Sequence, residues 1–331
     1  MTAERATVAQ LSQIGVESIP GTAVPADILL ASMELTGGIK AENRVFRPTG
    51  QKYASFVVPG KEWSEYGVGG WATYGEIVYA LAGILCEPVI TSDTTLGKKW
   101  VFTPELSEED VITTYSIEQG SAESRAHKAA YGVFTEFGLN FSRGGVEYTG
   151  AIMAQAITDA ATPTAADHVE TPPVPIAGNQ ISVYAADSWA GLSGASRSSR
   201  VLGGSWRISN RHSPLWVLDA SKSSYVAHVE TVPTVSLELT LEADAAGMAF
   251  LTLMRNATQK WIRLDAVGAL IEVGKNNLLQ IDGCYNVSEP KPFEDRDGVY
   301  AIGWTLVPVY DSTTGVEKTF EVTVRNKLAA L

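Results

Sequence analysis

The residues able to move a proton or hold a metal are few and scattered. His127, His168, His212 and His228 are the only histidines. No two stand four residues apart and no HExxH occurs, so no helix face would present a histidine pair to one ion. Cys86 and Cys284 lie far apart, outside any CxxC pair. They read as buried free thiols rather than as a disulfide or zinc ligands. GLSGA at 191–195 lacks the G-x-S-x-G spacing of a nucleophile elbow. No Walker loop and no dinucleotide-binding GxGxxG is present. Glu294, Asp295 and Asp297 precede Gly298, without the spaced oxygen ligands and distal Glu of a calcium loop. An Asp-Gly hairpin turn is the better reading. Nothing points to a carboxylate pair for glycoside hydrolysis. Trp63, Trp71, Trp100, Trp206, Trp216 and Trp261 would suit a sugar-stacking platform, but tryptophan is more often core or interface mass. No catalytic, cofactor-binding or metal-binding residue is expected.

Composition narrows the classes further. The 331 residues carry a formal net charge of −12, with 45% hydrophobic and 19% charged residues. That is globular rather than disordered composition, and the length suits one large or two modest domains. The acidic balance disfavours a conventional DNA binder, which needs Lys and Arg against phosphate. It suits a surface that DNA must pass without sticking. No apolar run spans a bilayer, and the N-terminal stretch carries charges where a secretory signal would be apolar.

The elements expected to position these residues are mostly strands. Residues 1–30 read as an extended arm punctuated by Pro20, Gly21 and Pro25. Strands are expected at 32–38, 53–70, 100–105 and 111–120, with a loop at 39–52. A long hairpin over 129–157 turns at Arg143-Gly144-Gly145. Thr73 and Glu76 form a capping box ahead of a helix whose one apolar face is Tyr74, Ile77, Val78, Leu81 and Leu85. Residues 158–180, rich in Pro, Ala and Thr, read as a linker. The segment 234–243 alternates, with Val235, Leu237, Leu239 and Leu241 inward and Glu238 and Glu242 outward. Asp244 caps a second helix carrying Met248, Leu251 and Met254. Strands follow at 203–209, 260–264, 278–287, 299–311 and 320–326.

The order of elements repeats. Tyr53 aligns with Tyr225 and Thr73 with Asp244, so the halves share a plan at low identity. The expected architecture is an arm at 1–30, one β domain at 31–157, a linker at 158–180 and a second β domain at 181–331.

Several stretches in this order resemble the tail-tube proteins of siphophages. They are GVESIPGTAVPADILL (15–30), RPTGQKYASFVVPGKEWSEYGVGGWATYGEIVYALAGIL (47–85) and FTPELSEEDVITTYSIEQGS (102–121). The hairpin AYGVFTEFGLNFSRGGVEYTGAIMAQA (130–156) and the ending DGVYAIGWTLVPVYDSTTGVEKTFEVTVRN (297–326) complete the set. Residues 181–230 fit the pattern poorly. The resemblance implies a mainly β fold, two tandem tube-type β-sandwich or barrel domains with one flanking helix each, and long hairpins lining a channel. It implies a structural virion protein of the tail, assembled in host cytoplasm, whose stacked rings conduct double-stranded DNA. Three chains would form a pseudo-hexameric ring if both halves are tube domains, and six chains if only one is. Tape-measure, tail-tip and tail-terminator proteins would be its partners, with no membrane contact.

On that reading Glu136, Glu147, Glu238, Glu242 and Asp282 are the lumen-lining candidates, being on or near polar strand faces. Glu17, Pro20, Arg47 and Trp63 are the ring-stacking candidates, from the arm and the 39–62 loop. The competing readings are a duplicated carbohydrate-binding or adhesion module, a β-sandwich hydrolase, and another virion part such as a decoration or tail-terminator protein.

Overall fold

A computed structural model of the chain describes residues 9–92, 95–121, 125–160, 162–166, 168–169 (backbone only), 173–219 and 221–331. The fold is mainly β, as expected. Its first half runs β1 (Leu11–Val16), β2 (Ile28–Leu29), β3 (Met33–Ala41), β4 (Arg44–Phe46), β5 (Phe56–Val58), β6 (Glu62–Gly70), α1 (Ile77–Ile84), β7 (Val89–Thr91), β8 (Lys98–Phe102), β9 (Tyr115–Gly120), β10 (Ala126–Ser142), β11 (Gly145–Ala154), β12 (Thr158–Ala160) and β13 (His168–Val169). The second runs β14 (Ile181–Ala186), β15 (Val201–Ser209), β16 (His212–Leu215), β17 (Ala227–Glu230), β18 (Thr234–Glu242), α2 (Ala245–Arg255), β19 (Lys260–Glu272), β20 (Lys275–Arg296), β21 (Val299–Pro308) and β22 (Phe320–Asn326).

The strand pairings repeat between halves. In the first half β1 pairs with β9, β9 with β10, β10 with β11 and β12, β11 with β6, and β6 with β3. In the second half β14 pairs with β19, β19 with β20, β20 with β21 and β22, β21 with β18, and β18 with β15. All twelve ladders are antiparallel. β11 and β21 each follow a two-residue turn, and Asp297 and Gly298 take the positive φ that such a turn requires. Each half also inserts a small hairpin, β4–β5 or β16–β17, between equivalent strands.

The halves nevertheless share one body. β10 pairs with β15, and β22 pairs with β8. One buried cluster runs from Ile14 to Val324 and draws on both halves. The result is a continuous eight-strand sheet in the order β3-β6-β11-β10-β15-β18-β21-β20. Its apolar face carries Leu35, Tyr66, Phe137, Leu139, Trp206, Leu237, Leu239 and Trp304, all buried. α1 and the strands β8, β9, β19 and β22 supply the buried side chains that complete the core with that face.

Thr73 and Asp244 do the same job at the two helix starts. Thr73 Oγ1 accepts the Glu76 N–H at 3.2 Å, and Asp244 accepts the Ala246 and Gly247 N–H groups at 3.0 and 2.9 Å. The Glu76 half of the expected capping box does not form. Its carboxylate reaches instead to the N–H groups of Ala31, Ser32 and Met33. α1 is buried on every face rather than amphipathic, because β8 and β10 both cover it. The ladders also shift one alignment: carrying β5 and β6 onto β17 and β18 sets Ala54, not Tyr53, against Tyr225.

The expected arm is largely folded in. β1 lies between β2 and β9 with Gln13 and Ile14 buried, while residues 1–8 lie outside the described residues. The expected linker is threaded too. Ile176 is buried and exchanges backbone hydrogen bonds with Ala72 and Val146, and Val174 accepts from Tyr74. Residues 161, 167 and 170–172 of it lie outside the described residues.

A charged clasp fastens the second half's small hairpin to the first half. Arg211, 4% exposed, pairs with Asp110 and with Glu230 at 2.7 Å, and donates to the Leu85 carbonyl at the end of α1 at 3.1 Å. His212 and His228 meet edge to face beside it at 5.4 Å. Burial, then the His228 and Arg211 charges, push the His212 imidazole down to about 3; burial lowers His228 as well. Folding therefore holds both rings neutral, while the unfolded chain protonates near the ordinary value of about 6.5. Stability present above that value is lost as pH falls from about 6.5 towards about 3, by up to about 1.4 kcal/mol per pH unit from His212. Urea midpoints measured across that window should fall steeply for the wild type and less steeply for His212→Phe. Arg211→Ala, which strands Asp110, should lose about 3–5 kcal/mol at pH 7.

Candidate functional site: a polar sheet face and two open edges

The eight-strand sheet has one face in the core and one in solvent, and the alternation along each strand decides which residues stand out. Cross-strand partners carry the solvent face from strand to strand. Thr36 stands opposite Gly67, Gly67 opposite Ala151, Ala151 opposite Glu136, and Glu136 opposite Ser209. Two rows further along, Glu147, Asn140, Ser205, Glu238, Thr305 and Glu289 run side by side. Glu136, Glu147, Glu238 and Glu242 therefore share a single face.

That face is acidic but partly compensated. Arg207 pairs with Glu136, Lys291 with Glu238 at 2.6 Å, Arg200 with Glu242 at 2.6 Å, and Lys40 with Glu65 at 3.5 Å. Glu34, Glu147 and Glu289 stand on it with no ion-pair partner among the described residues. Between the carboxylates lie small residues, Gly67, Gly69, Gly138, Ser205 and Gly203, which keep the surface low and smooth.

Asp282 does not belong to this set. It is 1% exposed, on the part of β20 held between β19 and β22, and accepts two hydrogen bonds from Arg263 at 2.7 and 2.8 Å. Burial raises its carboxyl above the usual range and the Arg263 fork opposes the rise. It is a buried structural pair, not a surface charge.

The four stacking candidates divide similarly. Glu17 is buried at 6% exposure, and its oxygens accept from Gly21 N, Thr114 Oγ1, Ser116 Oγ and Tyr131 N. It staples the first loop to β9 and β10, so no oxygen is left over for a second copy. Trp63 packs edge-on against Trp216 at 5.8 Å and donates to Glu65 at 2.9 Å, so the chain's own second half covers it. Pro20 and Arg47 are exposed.

Among the described residues the sheet ends on two strands that lack a strand partner on one side, β3 and the outer part of β20 (286–296). At the start of β3 the Glu76 carboxylate accepts from Met33 N–H and the Gln119 amide donates to the Leu35 carbonyl. These two edges have partners elsewhere in the fold. β3 occupies in the first half the place β15 holds in the second, and outer β20 occupies the place of β10. β10 and β15 pair with each other, Leu139 against Trp206 and Phe141 against Gly204. Superposing the ladders sets residue 293 on 139 and residue 37 on 206. The same junction formed between β20 of one copy and β3 of another would lay exposed Phe293 across Gly37. It would also set Arg296 opposite Glu34, a favourable cross-strand pair.

The tryptophans form no surface platform among the described residues. Trp100, Trp206, Trp261 and Trp304 are wholly buried, and Trp71 is the one more than half exposed. No cluster of metal-ligating side chains occurs among the described residues. Cys86 and Cys284 are free and buried, with thiols pushed up to about 12 and about 11 chiefly by burial. The side chain of His168 lies outside the described residues. No protein family model and no curated protein matches this sequence. The buried clasp was not foreseeable from spacing, since Asp110, Arg211–His212 and His228–Glu230 come from three separated segments.

Thermal unfolding should separate the two kinds of carboxylate. Glu147→Gln should leave stability within about 0.5 kcal/mol. Arg263→Ala, which leaves Asp282 buried and unpaired, should cost about 3–5 kcal/mol.

Proposed function

We propose that this chain is a structural subunit of a siphophage tail tube. Copies join edge to edge into rings, the rings stack, and double-stranded DNA passes through the bore. The observation that carries the reading is the repeated junction: the two free edges are the counterparts of strands that already pair inside the chain. A head-to-tail contact of this kind makes a closed ring wherever its rotation closes, and closure removes the unpaired edges that would otherwise invite aggregation.

Three copies would contribute twenty-four strands to one continuous barrel. At about 4.8 Å per strand the circumference is roughly 115 Å, a backbone bore of roughly 37 Å before strand tilt widens it. That is wider than a DNA duplex. The polar face would line the bore, with Glu147 and Glu289 as free charges, Glu34 facing Arg296 of the next copy, and Glu136, Glu238 and Glu242 in ion pairs within the chain. Such a lining repels phosphate and gives it few cations to grip. Pro20 and Arg47 remain as exposed candidates for contacts with other copies. Tape-measure, tail-tip and terminator proteins would set the length and ends of the tube.

Electron microscopy of the purified chain tests the reading. Wild-type protein should form hollow rings or tubes. Glu34→Arg should block assembly by facing Arg296 with a like charge, and Glu34→Arg combined with Arg296→Glu should restore it. A wild-type chain that stays monomeric at high concentration, even with tape-measure and initiator proteins added, would contradict it.

A further inference from the structure

The small hairpin β4–β5 has exposed apolar side chains on both faces. Val45, Phe46, Phe56, Val57 and Val58 are each about half exposed or more. Phe46 and Phe56 stack on each other at 4.7 Å, and Val45 and Val57 are cross-strand partners on the opposite face. Its counterpart β16–β17 is not left open. On the matching face, His228 accepts or donates at Tyr131 Oη at 3.1 Å and Trp216 packs on Trp63. The connecting loop is seated on the first half. Glu62 N–H donates to Ser223 O at 3.0 Å, Ser224 Oγ to Glu62 O at 2.6 Å, and Gln155 Nε2 to Tyr225 O at 2.8 Å. The buried Tyr225 hydroxyl reaches the Tyr131 and Met153 carbonyls.

The seat that this loop fills is bounded by residues 62–63 and 153–156. The ladders place its counterpart in the second half at residues 233–234 and 307–310. There the structure has an open groove, lined among others by Pro233, Thr234, Val307 and Pro308. We propose that this groove receives the β4–β5 hairpin and loop of a second copy of the same chain, within one ring. The seat occupied inside the chain is thereby repeated between chains, and the proposal rests on the ring reading given above. Val45 and Val57 take the positions of Pro214 and His228, and Ala54 takes that of Tyr225.

Charge supports this occupant. Residues 43–60 contain Arg44, Arg47 and Lys52 and no Asp or Glu, in a chain of net charge −12. The groove presents Glu105 and Glu108 at its rim. The contact is therefore apolar at its centre and opposite in charge at its edge, which is the usual make-up of a specific interface.

The test is crosslinking of the full-length chain bearing Ala54→Cys and Val307→Cys, positions matching Tyr225 and Met153. The native Cys86 and Cys284 are buried and should stay silent. A short bis-maleimide applied to isolated rings should give a covalent ladder ending at three chains, and neither single variant should give it. Val57→Asp should raise the concentration needed for ring formation about tenfold, one buried valine's worth of contact. Rings that form without the crosslink, or that crosslink only when stacked, overturn the hairpin proposal and leave the ring reading standing. Protein that never forms rings and never crosslinks overturns both.

Discussion

Everything else in the structure depends on the ladder between β10 and β15. It is where the end of one repeat meets the start of the next, and it turns two four-strand plans into one eight-strand sheet. Neither half has a complete set of partners without it. β10 achieves this by serving two layers. Its N-terminal part pairs with β9 and β12, register shifts at 129/132 and 134/136 re-aim it, and its C-terminal part joins the outer sheet. Tyr131, with φ of 59°, sits at the first shift. That cost is held by the Glu17 carboxylate on its N–H and by Tyr225 on its carbonyl.

The clasp around Arg211 follows from the same junction. Once β15 lies beside β10, the hairpin after it must cross the end of α1, where carbonyls lack partners. Arg211 supplies a donor there, and Asp110 and Glu230 neutralise it. The clasp ties the second half's hairpin to the end of α1 in the first half. It also explains why the two helices differ: α1 is fully buried beneath this traffic, whereas Gly247 is the one buried residue of α2.

Sequence alone conveyed the parts governed by local periodicity. The alternation from Val235 to Leu241 put the right residues in the core, and Asp244 capped its helix as its type suggests. The two long hairpins were legible because each is nearly continuous β-branched and aromatic sequence around a two-residue turn. Facing failed where a strand changes surroundings. Asp282 alternates like a surface residue, yet its stretch of β20 has neighbours on both sides and a layer above. Residues 11–16 read as an arm because LSQIGV has no strong period, and only pairing with β9 makes it a strand. The Pro-rich 173–180 segment reads as a linker by composition, but long-range backbone hydrogen bonds at Val174 and Ile176 bind it to the core. The histidine pair was invisible because the contact between His212 and His228 is made by hairpin pairing, not by spacing.

The central claim is that a junction made once inside the chain is made again between chains. The most direct measurement is a high-resolution electron cryomicroscopy reconstruction of the assembled ring, with the copies counted and the inter-chain strand pair read residue by residue. The account predicts three copies, with β20 of one against β3 of the next in the register that sets Phe293 across Gly37 and Arg296 opposite Glu34. Another copy number, or a ring whose β3 and β20 edges stay unpaired, would contradict it.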